Sequence, residues 1–82
     1  MNREEIKKKV IECVASQLSL ELEDIDPSMD FVNALGFDSL DSVEMTMCIE
    51  DEFNMSIKDE DAEKLVTVNL VVDYLEQNIK ED

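Results

Sequence analysis

Gly36-Phe37-Asp38-Ser39-Leu40-Asp41-Ser42-Val43-Glu44-Met45-Thr46-Met47-Cys48-Ile49-Glu50-Asp51-Glu52-Phe53 reads as a helix with its start signal attached. Asp38 is the natural N-cap, Asp41 places an acid in the first turn, and neither Gly nor Pro interrupts the run from Ser39 to Phe53. The helix therefore starts at Ser39. At about 100° per residue, Met45, Ile49 and Phe53, with the smaller Ser42 and Thr46, line one stripe, enough to bury the helix against neighbours. Leu40, Val43 and Met47 form a second stripe roughly 130° away. Asp38, Asp41, Glu44, Glu50 and Asp51 border it.

Working outward, Asn2 and Glu5 make a capping-box-like start to a first helix, and Ile6, Val10, Val14 and Leu18 follow at spacing four. Between Ser19 and Gly36 the periodicity lapses, Asp26-Pro27-Ser28 is a turn signal, and only isolated hydrophobes remain at Leu20, Ile25, Phe31 and Leu35. These four are expected to pin a long loop to the helices. After Ile57 the stretch Lys58 to Leu65 has room for a short third helix. Thr67 then caps a fourth, with Val68, Val71, Val72, Leu75 and Ile79 on one face. With one Gly and one Pro in 82 residues, the expectation is an all-α domain over residues 1–82, a small four-helix bundle with a long first loop.

Composition narrows the function. Seven basic against 22 acidic residues give a net charge of −15, a field that repels nucleic-acid phosphates and anionic lipid. No histidine is present, which removes imidazole bases, imidazole metal ligands and the triads built on them. No run of apolar residues exceeds three, so no membrane span or signal peptide can be drawn. Cys13 and Cys48 fit no CxxC or zinc spacing and read as reduced thiols, with the cytoplasm as the compartment. Self-repulsion favours a monomer. A chain this short gives no sign of a catalytic pocket, and its many acids have nowhere to act as a pair.

Two features go beyond a bundle. The stripe of Leu40, Val43 and Met47 has no second core to enter. It is either an ordinary exposed face, a face covered by the loop, or a docking surface whose carboxylates would steer a basic partner. Ser39, at the mouth of the helix, faces the positive end of the helix dipole, where a phosphate would be favoured, although Asp38-Ser39 also serves simply to start a helix.

The segment from Gly36 to Met45 resembles the G-x-D-S-L-D-[ST]-V-E-[LM] motif of acyl carrier proteins, the small acidic carriers of fatty-acid synthesis. The likeness continues through Phe31 and Leu35, Glu50-Asp51-Glu52-Phe53, Asp59 to Lys64, Thr67-Val68 and Asp73-Tyr74-Leu75, nearly the whole chain. It implies a carrier and not an enzyme. A phosphopantetheinyl transferase (holo-synthase) with Mg²⁺ would move 4′-phosphopantetheine from coenzyme A onto Ser39, and the arm's thiol, not Cys13 or Cys48, would hold the acyl group. Tethering keeps a growing chain at high effective concentration for each enzyme. Malonyl transacylase, ketosynthase and other fatty-acid synthesis enzymes with basic docking patches would be the partners. Carried over by position, Asp38, Leu40, Asp41, Val43, Glu44, Met47, Glu50 and Asp51 would form the recognition face, which coincides with the second stripe.

Family behaviour further implies that long acyl chains fold back among Met45, Ile49, Ile57, Ala62, Leu65, Val71, Val72 and Leu75, residues that are otherwise plain core. Three departures stand out: Lys58 where many members have proline, Phe37 where a smaller residue is frequent, and Cys48 at an alanine position. Phe37 is expected to pack over the point where the arm attaches, and Cys48 to be a small core hydrophobe. Related serine motifs serve polyketide and D-alanyl carriers, so the pathway stays open between these and fatty acids. An acidic helical interaction protein or nucleic-acid mimic explains the charge but not Ser39. A calcium-binding helix pair lacks the required loop.

Overall fold

The three long helices each open on a side chain that satisfies an otherwise unpaired first-turn N–H group. In the computed structural model, which describes residues 2–79, Asn2 accepts a hydrogen bond from the Glu5 N–H at 2.9 Å and begins α1, Arg3–Leu18. Asp38 and Asp41 bond each other's backbone N–H reciprocally at 2.8 and 3.1 Å and begin α2, Ser39–Phe53. Thr67 accepts from the Leu70 N–H at 3.2 Å and begins α4, Val68–Asn78. The short α3, Asp59–Ala62, starts at Lys58 without a side-chain cap. The expected single domain of residues 1–82 reaches residues at both ends that lie outside those described.

α1 lies between α2 and α4, its principal neighbours, and the core forms along it. Val10, Val14, Ile49, Val68, Val71, Val72 and Leu75 are almost wholly buried, so the expected faces of α1, α2 and α4 meet there. Arg3 pairs with Asp73 at 2.9 Å and with Glu76, tying the start of α1 to α4. The Cα radius of gyration is 11.6 Å, against about 12 Å for a folded chain of this length, so apolar burial has overcome the charge repulsion. No described helix is long and apolar enough to cross a membrane.

The first loop has more structure than its lapsed periodicity predicts. Ser19 closes α1 in the left-handed conformation, and a single 3-10 turn, Leu22–Asp24, follows. Asp26 accepts from the Ser28 N–H and hydroxyl, and Asp30 from the N–H groups of Val32 and Asn33, so both bends are held by short acidic side chains. Phe31 N–H donates to the Val66 carbonyl at 2.8 Å and Asn69 N–H to the Pro27 carbonyl at 3.0 Å, which fastens the loop to the α3–α4 connection and to the first turn of α4. Ile25 and Phe31 are buried and Leu35 half-buried, as pins should be. Leu20 is not a pin: it follows the reversal at Ser19 and stays 42% exposed.

The cysteines correct a second expectation. Cys13 of α1 and Cys48 of α2 are joined as a disulfide, with Cα atoms 5.9 Å apart, so the two thiols are not free. Sequence spacing missed the pairing because a separation of 35 residues says nothing about proximity until the two helices are packed. Helix phase held the clue: Cys13 falls beside Val10 and Val14, and Cys48 beside Met45 and Ile49, on the faces that meet.

Candidate functional site

Ser39 is the first residue of α2 and is exposed. The N–H groups of Ser39 and Leu40 have no acceptor within the helix, so the hydroxyl stands at the positive end of a fifteen-residue helix. The neighbouring Asp38 carboxylate is turned onto the Asp41 N–H.

The second stripe of α2 is bare. Leu40, Val43 and Met47 are 63%, 56% and 57% exposed, while Met45 and Ile49 on the first stripe are 4% and 1% exposed. Of the acids around the bare stripe, Asp38, Glu44 and Asp51 are exposed, and Asp41 and Glu50 half-buried. Beyond the Asp38 cap, Glu50 and Asp41 also have structural tasks. Glu50 accepts from the Ile57 N–H at 2.7 Å and so holds the α2–α3 connection. Asp41 receives the Asp38 N–H on one oxygen and the Gln17 side-chain amide on the other, and these two bonds, the first foremost, hold its carboxyl below the usual carboxylate range.

Between α2, α3 and the first loop runs an open groove of about 860 Å³, with Ser39 at its edge. Helix phase alone gave no sign of this space, which forms because α3 is a single turn, too short to close the gap between α2 and the first loop. Met45, Ile57, Ala62 and Leu65 line the groove. Ile49, Val71, Val72 and Leu75, expected with them, lie instead in the closed core at 1% exposure or less. Phe31, Val32, Phe37 and Val66 also line it and were not singled out for this role, because loop residues have no helix phase to betray them. Phe31 and Phe37 stack with ring centroids 5.2 Å apart, and Phe37 N–H donates to the Phe31 carbonyl, so the bulky Phe37 is a buried wall of the groove close to Ser39. Asp38, Glu50, Asp59 and Glu63 also border the groove. Among the described residues no group of side chains is arranged to hold a metal ion.

An exposed hydroxyl at a helix N-terminus, opening on an apolar groove, suits a phosphate-linked arm with an apolar cargo. Comparison with known proteins agrees. A family model described as a phosphopantetheine attachment site matches residues 8–75. Proteins named acyl carrier protein from two strains of Porphyromonas gingivalis are each 46% identical over 76 residues, covering 93% of this chain and 97% of theirs. A solved structure of the acyl carrier protein from Enterococcus faecalis superposes with a TM-score of 0.79 at 36% identity, covering 95% of this chain and 99% of that one. Gly36 to Met45, the capped α2 and the groove beside Ser39 thus belong to a carrier with a 4′-phosphopantetheine prosthetic group and not to an enzyme, and the chain is a member of the acyl carrier protein family.

Proposed function

We propose that the protein carries the growing acyl chain of fatty-acid synthesis as a thioester on a 4′-phosphopantetheine arm attached to Ser39 Oγ. The observation that carries this reading is the position of Ser39, exposed at the first turn of α2 and at the edge of the apolar groove. On a separate transferase, Ser39 Oγ attacks the pantetheine-bearing phosphorus of coenzyme A, so that a phosphodiester forms as the pyrophosphate bond breaks, adenosine 3′,5′-bisphosphate leaves and the hydroxyl proton is given up. When bound, the arm supplies a terminal thiol for acyl groups. Met45, Ile57, Ala62 and Leu65, with the walls of Phe31 and Phe37, offer apolar contact to a chain withdrawn from water. Ile49, Val71, Val72 and Leu75 would join the lining only if the core opened behind Met45.

Asp38, Leu40, Asp41, Val43, Glu44, Met47, Glu50 and Asp51 form the docking face for the transferase, malonyl transacylase, ketosynthase and related enzymes. Its exposed apolar centre and acidic rim suit basic patches, with charge setting the rate of encounter and Leu40, Val43 and Met47 the contact. The carrier works as a monomeric domain in the cytoplasm, where coenzyme A donates the arm; the Cys13–Cys48 bond withdraws the thiols as support for that compartment. The fatty-acid reading is tested by supplying the modified protein to a reconstituted fatty-acid synthase system with acetyl and malonyl donors. Elongated, hydroxylamine-labile acyl groups on the protein are expected. An armed protein that accepts malonate but supports no elongation would overturn the pathway assignment.

A further inference from the structure

Gln17, in the last turn of α1, reaches across to α2 and bonds two carboxylates with one nitrogen. Its Nε2 donates to Asp41 Oδ1 at 3.0 Å and to Glu44 Oε2 at 2.8 Å. An amide nitrogen carries two hydrogens, so each carboxylate receives one bond of its own, of the stronger kind made to a charged acceptor. Asp41 and Glu44 are three residues apart on α2, repel each other, and would otherwise sample separate rotamers. The last turn of α1 holds no basic residue.

We propose that Gln17 is a positioning residue for partner recognition: it gathers Asp41 and Glu44 into one fixed acidic pair on the docking face without cancelling their charge. The inference rests on the reading of α2 as that face. The residue type is what the task needs. A lysine or arginine at this position would collect the same two carboxylates and neutralise part of the field that draws a basic partner. A glutamine orders them and leaves both charges for the partner. Glu44 keeps its second oxygen free of any bond among the described residues, and an acid already held in place loses less freedom when a partner binds. The lowered titration of Asp41, to which the Gln17 bond contributes after the Asp38 N–H, agrees with this geometry.

The experiment takes the full chain without its arm as the substrate of a phosphopantetheinyl transferase at low ionic strength, and measures KM and kcat separately. Gln17→Met, which keeps length and helix propensity but loses the donors, should raise KM roughly three- to tenfold with kcat unchanged. Carboxyl NMR should show Asp41 titrating higher in the same variant, with a circular-dichroism melt within about 2 °C of wild type. Gln17→Glu separates field from geometry. If charge alone mattered, the added acid would lower KM; loss of the fixed pair predicts that it rises. In an Asp41→Asn/Glu44→Gln background the effect of Gln17→Met should shrink to under about twofold, since nothing is left to position. Glu44→Lys is the control for the docking face. An unchanged KM in Gln17→Met beside a raised KM in Glu44→Lys overturns the role of Gln17 alone, as does an undiminished effect in the neutralised background. An unchanged KM in Glu44→Lys itself overturns the docking face and this proposal with it.

Discussion

Gly36 holds φ at +76° one turn ahead of the segment that carries Ser39, and nothing lies within 4 Å of where a Cβ would stand. The cost of Gly36→Ala is therefore conformational and not steric: about 1–2 kcal/mol for placing an L side chain in the left-handed region. A melt should fall by several degrees, and an unchanged melt would show that the bend does not need glycine. Tyr74, the single tyrosine, offers a direct probe of α3. Its hydroxyl donates to Asp61 at 3.0 Å, and burial first, then the Asp61 bond, raises its pKa above the usual value of 10.0. The charged phenolate is thus less favourable in the folded than in the unfolded chain. The stability this contributes is fully present below about pH 10 and is lost as pH rises through the folded pKa. Phenolate absorbance should give a native midpoint above that of the denatured chain; coincident midpoints would mean that the contact between α4 and α3 is not made.

Among the elements, α1 and α2 are tied twice, by the Cys13–Cys48 bond and by Gln17. A disulfide spanning 35 residues restricts the unfolded chain by about 3–4 kcal/mol on the chain-entropy account. Reduction, or Cys48→Ser, should lower the melting temperature by roughly 10–25 °C in a domain this small. Free thiols titrated in the unfolded, unreduced chain would contradict the pairing, as would a melt insensitive to reductant. The helices themselves were legible because each rests on local chemistry: Asn2, Asp38 and Thr67 cap where their side chains predict, and the two stripes of α2 separate into buried Met45 and Ile49 and bare Leu40, Val43 and Met47. What the sequence hid depends on packing between distant segments. The disulfide, the groove and the inward duty of Glu50 arise only when α1, α3 and the first loop settle around α2. Leu20 failed as a pin because a hydrophobic side chain in a loop carries no phase to say which way it faces.

At the scale of the whole molecule the net charge of −15 is the dominant field. The ion pairs of Arg3 with Asp73 and Glu76, and of Lys9 with Glu52, are exposed and worth little, so screening should remove more repulsion than attraction. The melting temperature should rise with added salt, and a flat response would show that the acids are too far apart to repel effectively. On the docking face proposed for α2, the same field would steer a basic partner to its encounter. Whether Ser39 bears the arm is decided by intact mass. Protein shown to be folded and free of an arm is incubated with coenzyme A, Mg²⁺ and a broad-specificity phosphopantetheinyl transferase, beside Ser39→Ala. A gain of one phosphopantetheine unit is expected in the wild type and none in Ser39→Ala. No gain in the wild type, or an equal gain in the variant, would contradict attachment at Ser39.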